Sequence, residues 1–261
     1  MKNPLVWLAL AVVLAGVASF YYWQHANAPE PAAPPPLATA PAPPPAPETP
    51  RIEHPVPEAP AGAPLPPLAD SDAAAKDALV SLFGSDAVVR MFITDAAVRR
   101  FVATVDNLPR KTTAARLMPV RPAPGTFEVD NHGGTLTIDA KNALRYRPYL
   151  VVMEGVEAKR LVAAYVRLYP LFQAAYQELG YPNGYFNDRL VQAIDDLLAT
   201  PDVASPTLAQ PKVLYEFADP ALEDRSAGQK IMLRMGSANA ARVKEKLRAI
   251  RRELTGQMAP Q

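Results

Sequence analysis

Residues 179–198, LGYPNGYFNDRLVQAIDDLL, gather most of the groups in this chain that can do chemistry. Tyr176, Tyr181, Tyr185 and Phe186 can present ring faces, and Asn183, Asn187 and Arg189 add amides and a guanidinium. Flat rings beside hydrogen-bonding groups suit a glycan or a peptide. Asp188 brings an acid, and Asp195 follows seven positions later with Gln192 between them. On a helix that spacing sets the two carboxylates on one side, with backbones about 10 Å apart. An inverting glycosidase pair stands in that range, with a water between acid and base, whereas a retaining pair needs a closer approach. Glu178, near Tyr176 and Tyr181, is a second candidate for a lone acid. The plainer expectation for both acids is a solvated helix face. The binding set is therefore Tyr176, Tyr181, Asn183, Tyr185, Asn187, Asp188 and Arg189, with a core cluster under the helix connection as the plainer expectation for the rings, and no residue is assigned as catalytic.

Other chemistries lack their residues. The chain has no cysteine, which excludes disulfides, thiolate metal sites and cysteine nucleophiles. Histidine occurs at His25, His54 and His132 only, and the last sits in the Gly-rich stretch Asp130–Gly134 as a turn residue. A Ser-His-Asp site would have to use it, without a G-x-S-x-G to accompany it. A zinc site would rest on carboxylates alone, without H-E-x-x-H. Neither a P-loop nor G-x-G-x-x-G is present, so no nucleotide, metal or cofactor is expected. A net charge of +1 gives no general pull toward nucleic acid. Six cations, Arg242, Lys244, Lys246, Arg248, Arg251 and Arg252, crowd the last helical stretch. They suit anionic lipid or an envelope polyanion, but a solvated face is the simpler expectation.

The layout that must position these groups begins with Leu5–Trp23, an uncharged run long enough to span a bilayer and closed by Tyr21, Tyr22 and Trp23. Residues 1–28 are read as an uncleaved single-pass anchor, and Lys2 before it places the rest outside the cytoplasm. Residues 29–69 are a Pro/Ala-rich linker with little to bury, expected to be a disordered, semi-rigid spacer. Residues 70–255 hold a mainly α, compact multi-helix domain, and residues 256–261 a disordered tail. The apolar spacing predicts helices over 72–83, 86–105 with a break near Thr94-Asp95, 156–179, 188–199, 226–235 and from Ser237 to about Leu254. Pro170 is expected to bend the longest. Phe127–Val129 and Leu136–Ile138 flank the Gly turn as one small β-hairpin, and Lys212–Phe217 is strand or coil. Ser71, Asn187, Ser226 and Ser237 read as N-caps, and Gly180 and Gly256 as C-terminal stops.

Three blocks resemble one family: VDNLPR at 105–110, YPLFQAAYQELGYPNGYFNDRL at 169–190 and AGQKIMLRMG at 227–236. The family is bacterial and known as domain of unknown function 3014, and the resemblance runs from about Leu68 to Leu254. It implies an N-terminal anchor, a proline-rich spacer and a Gram-negative envelope setting, and it implies no activity, ligand or catalytic residue. The function expected is a tethered module of the periplasm, held in the bacterial inner membrane, that binds a protein or a cell-wall glycan. The alternative is a carboxylate-dependent peptidoglycan hydrolase.

Overall fold

The computed structural model describes residues 52–57 and 63–256. The anchor read at 1–28, the rest of the linker and the tail beyond Gly256 lie outside the described residues. Among the helices described, none is long and apolar enough to cross a membrane.

Among the described residues, nine α-helices and four short strands follow a 3-10 turn at Leu68–Asp70. Helices α1 (Asp72–Phe83), α2 (Ser85–Met91) and α3 (Ala97–Asn107) come first. Phe92 is extended and Ala96 takes a left-handed conformation, so the expected interruption falls between α2 and α3. Asp72 receives the amides of Ala96 and Ala97, which ties the start of α1 to the start of α3. Strands β1 (Val129–His132) and β2 (Thr135–Ile138) form the expected hairpin. The sheet is larger than that hairpin. Strands β3 (Thr207–Ala209) and β4 (Glu216–Phe217) extend it to four antiparallel strands in sequence order. Runs of three and two residues are too short for alternation to show in a sequence.

Helix α4 (Lys141–Glu154) has no counterpart among the predicted helices. Its apolar residues do not lie on one face: Leu144 and Val151 are exposed, while the polar Asn142 is buried. Asn142 is held because its amide donates to the carbonyls of Glu128 and Asp139 and accepts the amide of Glu128. Helix α5 (Ala158–Glu178) runs through Pro170 as one element, followed by α6 (Phe186–Leu198). A short α7 (Pro220–Glu223), α8 (Ala227–Arg234) and α9 (Ser237–Thr255) complete the fold.

Caps divide the predicted set. Ser226 accepts the amide of Gln229, as expected. Ser71 instead donates to the carbonyl of Leu68, and Ser237 is the first residue of α9, with Gly236 at the capping position. Gly256 ends α9 in the left-handed conformation.

Helix α5 is central. One side packs against α3 and α6 around Phe101, Tyr165, Phe172, Tyr176 and Phe186. Along another, Val162 and Val166 meet Ile194 of α6 and Leu254 of α9, with Val56 packed against the same cluster. A third cluster joins Leu208 and Phe217 of the sheet to Leu222 and Leu233.

Candidate functional site

Helix α5 ends at Glu178 and α6 starts at Phe186, with the turn Tyr181–Gly184 closed by a bond from the Gly184 amide to the Tyr181 carbonyl. Gly180 has φ +113°, a region that L side chains rarely adopt. Pro182 and Asn183 form the exposed tip. Tyr176 is buried and stacks on Tyr181 with ring centroids 4.5 Å apart. Tyr176 therefore belongs to the core and offers no open ring face.

Asn187 does not cap α6. The capping position belongs to Tyr185, whose side chain makes no capping bond. The amide of Phe186, a first-turn donor without a helical partner, goes to Gln173 Oε1 at 2.9 Å. Gln173 also accepts the Tyr169 hydroxyl and donates to the Gly184 carbonyl, so one glutamine of α5 organises the whole turn. Asn187 is 0% exposed. Its Oδ1 accepts the Tyr165 hydroxyl at 3.0 Å, and its Nδ2 donates to the His54 carbonyl at 2.8 Å. Burial holds the Tyr165 and Tyr169 phenols well above their ordinary range, so both remain protonated donors.

The His54 contact belongs to a longer one. Asp188 accepts two successive backbone amides, Glu53 N at 3.2 Å and His54 N at 2.7 Å. Tyr185 accepts Val56 N on its hydroxyl at 3.0 Å. Three neighbouring side chains thus hold the main chain of Ile52–Pro57, a part of the compositional linker that lies against the domain, as Leu65 and Leu68 also do. His54 and Val56 are half-buried while Glu53, Pro55 and Pro57 are exposed, the alternation of an extended segment. Asp188 also stands in the first turn of α6, where a negative charge is favourable.

Arg189 points elsewhere. It bonds Asp106 through Nε at 3.0 Å, donates to the Asp106 carbonyl, and reaches Gln192 Oε1 at 2.6 Å. Asp106 is 4% exposed. Its other oxygen takes Arg110 at 2.7 Å, and Arg110 also meets the Tyr181 hydroxyl. The Asp106 carboxylate raises the Arg110 guanidinium above its usual value. Arg189 and Tyr181 accordingly lock α6 and the turn to the end of α3.

The candidate acids are engaged as well. Asp195 is paired with Arg251 at 2.6 Å and Glu178 with Arg99 at 2.9 Å. Four of the six cations of the basic helix have internal partners: Arg251 at Asp195, Arg242 at Glu154, Lys244 at the Thr200 carbonyl and Lys246 at the Val156 carbonyl. Among the described residues, no three His, Asp or Glu side chains are placed to hold a metal ion.

Block 105–110 meets block 169–190 through Asp106, and it meets block 227–236 through the backbone. Ala227 N donates to Arg110 O and Gly228 N to Leu108 O. A Cβ at Gly228 would stand 2.7 Å from a Leu197 methyl and 3.2 Å from Leu108 O, so any side chain there would push on both neighbours. A family model described as "Protein of unknown function (DUF3014)" matches residues 97–251. The chain belongs to the DUF3014 family. No curated protein and no solved structure matches it. The DUF3014 match includes Asp106, Gln173 and the residues from Tyr176 to Arg189, whereas Ile52–Pro57 precedes it.

Sequence reasoning missed Gln173, Tyr165 and the main chain of Glu53, His54 and Val56. Their partners lie far along the chain, and no local spacing announces them. Asn187 supplies a direct check. Asn187→Ala should lower the unfolding free energy by about 1–3 kcal/mol, because the His54 carbonyl and the Tyr165 hydroxyl lose their partner. Asn187→Asp should cost at least as much, since a carboxylate cannot donate to His54 and places a second charge beside Asp188. A capping residue would tolerate aspartate with little loss. Urea unfolding of the two variants separates the roles.

Proposed function

We propose that the chain is a membrane-tethered envelope module that binds an extended segment of a protein partner. In this reading Leu5–Trp23 anchors it in the bacterial inner membrane by a single pass and the domain works in the periplasm. The observation that carries the partner class is the grip of Tyr185, Asn187 and Asp188 on the main chain at Glu53, His54 and Val56. Asp188 takes two successive backbone amides and Asn187 takes the following carbonyl, a pattern that a polypeptide offers and a sugar chain lacks. Such a site selects an extended backbone first and side chains second. The chain's own Ile52–Pro57 is then a resident occupant, which a partner segment displaces.

The hydrolase alternative loses support from the same geometry. Asp195 and Glu178 each face an arginine, and Asp188 faces amides, so these carboxylates are set up to accept hydrogen bonds. A general acid for glycoside cleavage needs the opposite arrangement.

The test uses the full chain in cells, with a photoreactive residue at the exposed Asn183. Expected is an adduct with a second protein that falls sharply in Asp188→Asn. Adducts confined to the chain's own residues 52–57 would overturn the partner. Release of soluble fragments from sacculi by the parent chain, and not by Asp188→Asn, would turn the reading to the hydrolase. Protease added to spheroplasts should degrade the domain; protection by intact membranes would reverse the topology.

A further inference from the structure

Helices α1, α3, α5, α6 and α9 surround a space of about 370 Å³. Its wall is apolar almost throughout, with Leu79, Leu82 and Phe83 of α1 on one side and Leu161, Leu168 and Phe172 of α5 on another. Protein interiors ordinarily leave few voids larger than one water. The cause is legible in residue size. Where α1 faces α5, Ala75, Ala78 and Ala164 line the space, and methyl groups do not fill it. Helix α1 fully buries only Ala75, and its Leu79, Leu82 and Phe83 stay half-buried along the wall.

Ala78, Leu82, Ala164 and Leu168 line both this space and a groove of about 600 Å³ between α1 and α5. The groove carries three charged side chains, Arg160, Arg167 and Asp77. Arg160 donates to the Ser81 carbonyl at 3.2 Å, and neither arginine is ion-paired with a described residue. Two arginines and one aspartate leave a single net positive charge in the groove beside the apolar cavity.

We infer that this cavity binds a single-chain anionic amphiphile. The alkyl chain lies between α1 and α5 in the apolar space, and a carboxylate or phosphate head meets Arg160 and Arg167. The space is many times what one water needs, roughly 10–15 Å³, and its apolar wall suits an alkyl chain. Water is a poor occupant, because the wall offers it few hydrogen-bond partners. A guanidinium pair recognises a planar carboxylate or a phosphate, and Asp77 tunes the groove toward a monoanion. The site does not use Tyr185, Asn187 or Asp188, so it stands or falls apart from the peptide reading.

The test places the full chain in phosphatidylcholine vesicles with a diazirine-bearing dodecanoate, and maps the photolabel by peptide mass spectrometry. Label is expected on α1 and α5. Arg160→Gln with Arg167→Gln should weaken labelling roughly tenfold or more, as two charge-assisted contacts are lost. Ala164→Phe should block it by filling the space; should that variant fail to fold, the two exposed arginines decide alone. Unlabelled dodecanoate and dodecyl phosphate should compete, and the stronger competitor names the head group. Label confined to residues 1–28, or equal competition by uncharged dodecanol, would overturn the proposal.

Discussion

Asp106→Ala should lower the unfolding free energy by about 3–5 kcal/mol, the cost of stripping one partner from a buried charge pair. Asp106 stands where the end of α3, the turn at Tyr181 and helix α6 meet. Its carboxylate faces Arg189 on one oxygen and Arg110 on the other. The side chain of Arg189 is only 15% exposed, so alanine at 106 would leave a guanidinium that water can barely reach with neutral acceptors alone, the residue-106 carbonyl and Gln192. Arg110 is half-exposed and can turn to solvent. The loss should therefore come mainly through Arg189. Arg189→Met in the Asp106→Ala background should recover a substantial part of it, since removing both charges leaves neither buried alone. Urea unfolding of the two single variants and the pair gives the coupling. Additive losses would show that the two residues act separately. Arg189→Gln should likewise cost stability, because Arg189 binds the fold together and does not stand on an open rim.

Phe186→Ala should cost a comparable amount, about 3–5 kcal/mol, as a large buried ring is replaced by a cavity. Phe186 is 0% exposed and lies within 6.5 Å, ring centre to ring centre, of Phe101, Tyr165, Phe172 and Tyr176. Those rings come from α3 and α5, so the first residue of α6 fixes three helices at once. Phe186→Leu should lose less, since it keeps much of the apolar contact. Near-UV circular dichroism should weaken in the alanine variant, because the tyrosines around it lose their fixed surroundings. An unchanged melting temperature for Phe186→Ala would contradict this account of the core.

The long amphipathic helices were legible because burial repeats along them. The stripe Leu161, Tyr165, Leu168, Phe172 and Tyr176 follows the inner side of α5, and Val243, Leu247, Ile250 and Leu254 follow that of α9. The three familiar blocks were legible too, and they converge on Asp106 and Gly228. Helix α4 was not legible, because Asn142 is buried where an apolar residue belongs while Leu144 and Val151 face outward. The candidate site was half legible. Residue types singled out Tyr185 as a ring face, Asn187 as a hydrogen-bonding amide and Asp188 as an acid, but local turn chemistry assigns Asn187 to a cap that Gln173 serves from another helix. Tyr176 and Arg189 were drawn into the binding set by proximity in sequence, while their partners turned them inward. Ile52, His54 and Val56 set this segment apart from its Pro/Ala-rich neighbours, but residue types alone do not say what they meet. It is held by three backbone amides, one carbonyl and the packing of Val56, and main-chain groups of that kind are common to nearly every residue.

Val56 and Leu254 pack against one cluster, although they come from opposite ends of the described chain. That cluster also covers Val162, Val166 and Ile194, so it sets an order of events during synthesis. Helices α3, α5 and α6 can collect around Phe186 once the ribosome has released Leu198. The Val162 side of α5 must wait for the final turns of α9, made well after α5 itself. A nascent chain therefore carries an uncovered apolar seam until α9 has emerged. Contacts this distant in sequence are slow to close, and the exposed interval invites association with other chains. A stop codon before Ile250 would leave that seam permanently open while sparing the aromatic core. Such a shortened chain should be recognised as unfinished by the quality control of its compartment, even though most of its helices can form.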